Sequence, residues 1–174
     1  MNKISHDSEV PAHGQQVISA CAFIHAKFDG VTKVFLPKRA DTKKFLPGVY
    51  ELPGGHIDFG EDIVLGLKRE IKEELGMGVA VGDPFYTCTY MNHIKGSHSI
   101  QVTYFAQFTD PIENVMIHPE DHSTCGWFSK DEVKELRAQI VTSEYANHNS
   151  GDDPEYLTMM RGFELLSGEA LRFS

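Results

Sequence analysis

The segment from residue 55 to residue 77, GHIDFGEDIVLGLKREIKEELGM, constrains the fold more than any other part of the chain. Between Asp62 and Leu75 its pattern predicts a helix with two distinct faces. Apolar residues at positions 64, 67, 71 and 75 form a stripe suited to packing against a sheet. Three carboxylates share another face through i, i+3, i+4 spacing. These carboxylates belong to Glu70, Glu73 and Glu74.

Three carboxylates this close repel one another, and the repulsion grows as water is excluded. A cation relieves it, and oxygen ligands on a rigid helix suit Mg²⁺ or Mn²⁺, which keep several waters and accept substrate phosphates as further ligands. The turn at Gly54 and Gly55 lets the backbone approach a metal or a phosphate, so the Gly55 carbonyl is a candidate ligand. The alternative is an ordinary solvated face on which Lys68 and Lys72 accompany the glutamates.

The full spacing decides between these interpretations. The segment fits G-x5-E-x7-R-E-U-x-E-E-x-G-U, with U apolar, and a chance match in this chain is below roughly one in a million. This pattern is the Nudix box, so the chain resembles the Nudix hydrolase family in its MutT-like form. The resemblance implies an α/β fold of the α+β type, an α/β/α sandwich around a mixed β-sheet. It also implies hydrolysis of the pyrophosphate linkage in nucleoside diphosphate derivatives, with Mg²⁺ or Mn²⁺ as cofactor.

The resemblance assigns roles to individual residues of the box. Arg69 is similar to the family arginine that ion-pairs with the metal-binding carboxylates and orients them. Glu61 resembles the first glutamate of the box, which holds the loop–helix junction or reaches a metal-bound water. Gly55 resembles the residue whose carbonyl is a metal ligand. The metal-binding carboxylates are expected at Glu70, Glu73 and Glu74.

Outside the box, Arg39 lies where MutT-type members place a phosphate-contacting arginine, although a strand end also suits a surface charge. Glu120 resembles a loop glutamate that some members use as a metal ligand or base, with an ordinary acidic loop residue as the alternative. Glu70 and Glu120 are the candidates for the general base. His118 and His122 flank Glu120, and we expect solvated loop histidines there, with a nucleotide contact as the alternative.

Aromatic and cysteine residues carry weaker information. Trp127 is expected in the core. Aromatic residues on strands are usually core residues as well, but three of them are also candidates for a base pocket: Tyr90, Phe23 and Phe35. The three cysteines lack any CxxC spacing, which predicts free and mostly buried thiols and no zinc site.

The rest of the chain predicts strands packed with a few helices. We expect residues 1–14 to form a flexible arm and residues 15–174 to form one domain. Ser129 begins a helix with a capping box to Glu132, and a final helix runs from Pro154 to Leu166 with proline in its first turn. Strands are predicted at residues 15–28, 33–39, 49–52, 85–91, 99–108 and 126–128.

Composition limits the partners. The formal net charge of −9 disfavours a nucleic-acid polymer, because duplex binding requires a basic face. A small phosphorylated ligand is compatible with it, since bound cations reverse the local field. We expect a cytoplasmic protein without membrane association, because the chain has no run of about 18 apolar residues and no secretory signal. The final helix and the alternating strand at residues 99–108 are candidate surfaces for a homodimer.

The substrate prediction rests on one string. LPGGHIDFGED resembles the LPGGHLEFGE form of MutT-like members that cut nucleoside triphosphates, including oxidised ones, to a monophosphate and pyrophosphate. The SQPWPFP string of NADH-cleaving members is absent. ADP-ribose, a nucleotide sugar, a dinucleoside polyphosphate and an RNA 5′ end are the alternatives. A nucleotide-sensing Nudix module without activity is disfavoured, because such proteins commonly lose box carboxylates. A purely structural partner protein would need a neighbour to cover the acidic face.

Overall fold

A six-stranded mixed sheet is the centre of the fold in the computed structural model, which describes residues 14–140 and 153–168. The strands are β1 (Gln16–Phe28), β2 (Val31–Arg39), β3 (Gly54–His56), β4 (Val79–Asn92), β5 (Ser97–Phe108) and β6 (His122–Ser129). The helices are α1 (Ile63–Leu75), α2 (Lys130–Glu135) and α3 (Pro154–Leu166), with 3-10 turns at Ile112–Asn114 and Arg137–Gln139. None of the helices in these described ranges has the length and apolarity needed to cross a membrane.

Strand β1 organises the sheet, because it pairs with three other strands along its length. Its first part pairs in parallel with β5 and, at residues 19–21, antiparallel with β3; its last four residues pair antiparallel with β2. The main path runs β4-β5-β1-β2-β6. Strand β5 therefore has β4 on one edge and β1 on the other. Neither edge of β5 is open for pairing with a second chain, and the homodimer stays a prediction.

Alternation along β1 builds two cores on opposite faces of the sheet, as a side-chain period of two requires. Ala20, Ala22 and Ile24 face α1, whose residues Leu67, Ile71 and Leu75 are fully buried against them. Each such leucine or isoleucine contributes on the order of 2 kcal/mol to stability. The intervening residues of β1 face α2 and α3. The predicted α/β/α sandwich is confirmed.

Local signals explain the ends of the helices. Asp62 caps α1 by accepting hydrogen bonds from the N–H groups of Val64 and Leu65, and the helix ends at Gly76 with a left-handed φ of 67°. Ser129 and Glu132 form the predicted capping box at the start of α2. The predicted bounds of α3 agree with the structure.

The strand before the box is the main difference from prediction. No strand forms at residues 49–52 among the described residues apart from a single bridge between Tyr50 and Lys38. The strand begins instead at Gly54, which pairs with Cys21 of β1. Gly54 has a φ of 145°, and a Cβ there would collide with the Ala20 carbonyl, so its backbone approaches β1 as only glycine allows.

The cysteines are free, as predicted. Only Cys21 is buried, however, while Cys88 and Cys125 are half-buried. The prediction of mostly buried thiols is therefore only partly right.

Candidate active site

A cleft of about 1280 Å³ opens beside β3 and the acidic face of α1. It is lined by all of the predicted site residues except Glu61. Those lining it are Arg39, Gly55, Arg69, Glu70, Glu73, Glu74 and Glu120. The fold therefore gathers residues from β2, β3, α1 and the loop before β6 into one cavity.

Arg69 connects the carboxylates of the box. Its Nε and Nη2 each donate a 2.9 Å hydrogen bond to one oxygen of Glu61, and its Nη1 donates a 2.7 Å bond to Glu70 Oε1. Nη1 also lies 3.5 Å from Glu73 Oε2. Hydrogen bonding by Glu61 is the main reason that the pKa of Arg69 is raised, so the guanidinium is a permanent cation in this network.

Glu61 lies behind the cleft, at the junction between the loop and the helix. Besides pairing with Arg69, its Oε2 accepts a 3.1 Å hydrogen bond from the Asp58 N–H. The same oxygen would lie 2.7 Å from a Cβ placed on Gly66. The space beside Gly66 is thus occupied by the side chains of Glu61 and Ile57.

Gly55 and Glu70 lie in contact across the cleft wall. A Cβ on Gly55 would come within 2.6 Å of Glu70 Oε2, so only glycine fits beside this carboxylate. Glu70 is only 3 % exposed. This packing keeps the Glu70 carboxylate next to the Gly55 backbone, which carries the carbonyl predicted as a ligand.

Glu74 carries a buried oxygen whose hydrogen-bonding capacity is unused. Within the described residues, no group donates a hydrogen bond to its Oε2. Burial, followed by the charges of Glu51 and Glu70, raises the pKa of Glu74 well above its ordinary value, against the opposing effect of Arg39. An orphaned carboxylate oxygen surrounded by negative charge is a position that a cation would stabilise.

The donor set at this wall fits a hard divalent cation. Carboxylate and carbonyl oxygens are the ligands that Mg²⁺ and Mn²⁺ prefer. Within the described ranges, no three acidic, histidine or cysteine side chains already converge as a metal cage. Mg²⁺ does not require such a cage, because it is commonly held by one or two carboxylates with water and substrate phosphates as the other ligands.

The loop that carries Glu120 is attached to the end of α1. The His118 N–H donates a 3.2 Å hydrogen bond to the Glu74 carbonyl, and the His122 N–H donates a 2.9 Å bond to the His118 carbonyl. Glu120 is exposed at the edge of the cleft, and no described residue is hydrogen-bonded or ion-paired to its carboxylate. Its carboxylate is therefore not committed to a structural contact.

A second charged network, centred on Glu51, supports the cleft floor. Arg39 Nη1 donates hydrogen bonds of 3.1 and 3.0 Å to the two Glu51 oxygens, and His122 Nε2 lies 3.0 Å from Glu51 Oε1. Burial disfavours the Glu51 carboxylate, but Arg39 and His122 outweigh it and lower its pKa. Arg39 thus has an internal partner, and the phosphate contact predicted for it stays a prediction.

The two loop histidines differ. His118 is exposed as expected, with its Nδ1 3.7 Å from Asp121 Oδ2. His122 is only 1 % exposed, so the prediction of a solvated histidine is wrong there. The reason is tertiary: His122 belongs to β6 and lies opposite Arg39 in the β2–β6 register, which places its ring against Glu51.

The three aromatic candidates for a base pocket also differ in their positions. Phe23 and Phe35 are buried in the two cores and do not line the cleft. Trp127 packs against Phe35 in the core, as predicted. Tyr90 does line the cleft, where its ring lies nearly parallel to that of Phe45.

Sequence reasoning missed Glu51 and Glu155, both of which line the cleft. Glu51 stands in the YELPGG string, four residues before Gly55, and its position there is the only signal that pointed to it. Glu155 follows the proline that starts α3, where an acidic residue reads as an ordinary first-turn helix residue. Nothing local in the sequence distinguishes it.

Comparison with known proteins identifies one family. The NUDIX domain family model matches residues 18–146. The Nudix hydrolase YfcD of Escherichia coli is 29% identical over 147 residues, which cover 76% of this chain and 82% of YfcD. The NAD-capped RNA hydrolase NudC of Stutzerimonas stutzeri is 25% identical over 132 residues, which cover 72% of this chain. That match spans only 46% of NudC, less than half of its length.

A solved structure gives the same result. The MutT NUDIX hydrolase from Burkholderia pseudomallei superposes with a TM-score of 0.57 at 27% identity, covering 75% of this chain and 92% of that one. The matched family model spans most of the chain and includes the complete box from Gly55 to Met77. The chain therefore belongs to the Nudix family and is a pyrophosphohydrolase.

Proposed function

We propose that this enzyme hydrolyses nucleoside triphosphates, including oxidised ones, to a nucleoside monophosphate and pyrophosphate, with Mg²⁺ or Mn²⁺ as cofactor. The observation that carries the proposal is the unpartnered buried oxygen of Glu74 beside Glu70 in a cleft large enough for a nucleotide. In the reaction, the oxygen of one water bonds to a phosphorus, the P–O bond to the leaving pyrophosphate breaks, and the water's protons pass to base and solvent.

Four groups would hold the metal. Glu70 and Glu74 face the cleft from one side of α1, and the Gly55 carbonyl lies beside Glu70. Glu73 is more exposed, and its contact with Arg69 is longer than that of Glu70, so it is free to turn toward a ligand. When bound, the metal supplies charge screening for the phosphates, acidifies a bound water and stabilises the leaving oxygen.

Glu120 is the residue we propose as general base. Of the two candidates, Glu70 is buried and its Oε1 already accepts a 2.7 Å hydrogen bond from Arg69, so it is committed to a structural contact. Glu120 has no such partner among the described residues and is attached through its loop to the Glu74 carbonyl. A base must come within hydrogen-bond reach of the water, and a loop position allows this movement.

Cationic side chains along the cleft support a phosphate-bearing substrate. They are Arg39, Lys43, Lys44, Arg69 and Lys95. Lys43 is bonded to Asp121 at 2.7 Å, so these cations belong to networks that a polyanionic ligand would rearrange. Distributed basic surface suited to a polymer is not expected from a chain of net charge −9.

The test is a hydrolysis screen with and without Mg²⁺ or Mn²⁺. Its panel holds nucleoside triphosphates including an oxidised purine, ADP-ribose, a sugar nucleotide, a dinucleoside polyphosphate, a 5′-triphosphorylated RNA and an NAD-capped RNA. We expect a triphosphate to give the highest kcat/KM and to release pyrophosphate. If another substrate class had a kcat/KM at least tenfold higher, the proposed substrate would be wrong, although the protein would still be a hydrolase. Turnover that is absent, or that does not depend on the metal, would contradict the proposal.

The base is tested separately. Glu120→Gln should lower kcat by about 10²–10³-fold and remove the acidic limb of the pH–rate profile, while nucleotide affinity in the presence of metal changes little. Glu113→Gln, an exposed glutamate in the Ile112–Asn114 turn outside the cleft, is the matched control. Unchanged turnover in Glu120→Gln would return the role of base to Glu70.

A further inference from the structure

Glu155, on the first turn of α3, projects into the cleft from outside the part of the chain that the Nudix model matches. Its Oε1 accepts a 2.6 Å hydrogen bond from the Leu52 N–H, and its Oε2 accepts a 3.0 Å bond from Gln101 Nε2. Neither contact involves a box residue. The catalytic machinery therefore does not account for this carboxylate.

The packing of α3 fixes where Glu155 points. Seven residues, two helical turns, separate it from Gly162, so both lie on the same face. A Cβ on Gly162 would lie 2.6 Å from the Phe23 ring, and the Phe163 and Phe23 rings meet edge to face at 5.2 Å. The glycine lets α3 lie directly against β1. Glu155 is thereby held toward the sheet and the cleft rather than toward solvent.

Two aromatic rings line the same cleft. Phe45 and Tyr90 lie 15° from parallel with their centroids 6.2 Å apart. Burial is the main cause of the raised pKa of Tyr90, and the neighbouring groups that add to it include Glu155. A stacked aromatic pair near a carboxylate is a combination that binds a nucleobase, by stacking on the base's face and hydrogen bonding at its edge.

This carboxylate lies away from the metal-binding wall but within the same cavity. Its two hydrogen-bond donors are the Leu52 N–H and Gln101 of β5, whereas the metal-binding wall is formed by Gly55 and the glutamates of α1. A nucleotide with its phosphates at Glu70 and Glu74 would extend its base toward Glu155.

We propose that Glu155 determines base specificity: its carboxylate accepts a hydrogen bond from an amino group of the nucleobase, whose face lies against Phe45 and Tyr90. This rests on the proposed function, since it requires a nucleotide substrate. A carboxylate has about four acceptor positions, and Leu52 and Gln101 use two of them. The two donors oppose the burial that raises the pKa of Glu155 to about 7. At pH 8 the ionised carboxylate is therefore the main form, so a base edge bearing N–H groups is accepted and one bearing only carbonyl or C–H groups is not.

The experiment compares substrates that differ by one amino group: GTP with ITP, and ATP with purine riboside triphosphate. We expect wild-type kcat/KM to favour the amino-bearing member of at least one pair by about tenfold or more, because a site built for a donor rejects the analogue that lacks it. Glu155→Gln keeps the shape and an oxygen for the Leu52 N–H but replaces the other acceptor with a donor. This variant should reduce the preference for the amino-bearing substrate to about threefold or less, while kcat/KM for the amino-free substrate changes little.

Two further variants separate specificity from folding. Glu155→Asp keeps the charge and withdraws the oxygens, so it should also weaken the preference. Glu164→Gln changes a carboxylate on the same helix outside the cleft and should leave the preference intact. An equal loss on all four triphosphates in Glu155→Gln would mean that Glu155 only supports the Leu52 backbone. That result, or a wild-type enzyme indifferent to the amino group, would overturn the proposal.

A binding measurement distinguishes this proposal from the proposed function. GMP and IMP, and the corresponding adenine pair, are titrated calorimetrically into the protein without divalent metal. Amino-dependent binding that Glu155→Gln abolishes supports the base pocket even if no triphosphate is hydrolysed, in which case the proposed function alone fails. Triphosphate hydrolysis with no amino preference in either measurement would reject the base pocket alone.

Discussion

Arg69 joins the box helix to the loop before it, because its Nε and Nη2 each donate a hydrogen bond of 2.9 Å to a different oxygen of Glu61. The remaining Nη1 donates to Glu70. One planar guanidinium thus fixes the loop and a cleft carboxylate at the same time. A lysine has a single ammonium group and cannot reproduce this fork.

We therefore expect Arg69→Lys to lower kcat by at least about tenfold, equivalent to about 1.4 kcal/mol of transition-state stabilisation. The fold should survive, because α1 is anchored by its apolar stripe. Steady-state kinetics and circular dichroism measure the two effects. Lys68→Gln, at an exposed position one residue earlier, is the control and should be nearly silent. Full activity in Arg69→Lys would show that the bidentate geometry is unimportant.

Replacing Glu74 should affect stability and activity differently. Glu74→Gln removes a charge that burial, Glu51 and Glu70 make unfavourable, so the melting temperature without metal should stay equal or rise. Turnover with Mg²⁺ should fall by two or more orders of magnitude, a loss of at least about 2.7 kcal/mol. Glu73→Gln should lower turnover similarly but leave the melting temperature unchanged, since Glu73 is exposed. A Glu74→Gln enzyme that is both unfolded and inactive would contradict this assignment.

His122 and His118 form a matched pair for stability. His122→Ala leaves a cavity at a buried position and removes a partner of the half-buried Glu51, so it should lower the free energy of unfolding by about 1–3 kcal/mol. His118→Ala changes an exposed ring and should be within about 0.5 kcal/mol of wild type. Urea unfolding measures both. Equal values for the two variants would argue against the Glu51 network as a structural element.

Glu155 should also make stability depend on pH. Burial raises its pKa to about 7 in the folded protein from an ordinary value of 4.5. Between these values the folded protein holds a proton that the unfolded chain has released, so stability falls as the pH rises from 5 to 8. The full effect is at most on the order of 3 kcal/mol.

The measurement is the difference in unfolding free energy between wild type and Glu155→Gln across that range. Glutamine does not titrate. The unfolding free energy of wild type should therefore fall relative to that of Glu155→Gln as the pH rises. Asp153, whose pKa burial raises to about 6, is present in both proteins. A difference that is flat with pH would mean that the Glu155 carboxyl titrates at an ordinary pKa.

The sequence by itself determined the elements whose causes are local. The apolar stripe and Asp62 cap specify α1, the capping box specifies α2, and alternation specifies the strands, because each depends on residues within a few positions of one another. The spacing of the Nudix box likewise identified the family, since all residues of the box lie on one turn-and-helix segment. Even the strand that enters the box shifted, however, because Gly54 is positioned by its contact with β1.

Only the tertiary structure decided which side chains meet across the cleft. Glu51 becomes the centre of a charged network because β6 brings His122 opposite Arg39, and no spacing along the chain records that register. Glu155 enters the cleft because Gly162 lets α3 lie against Phe23, about 140 residues away in sequence. Contacts of this kind depend on long-range packing and burial, which alter the chemistry of ordinary residues without leaving a local pattern.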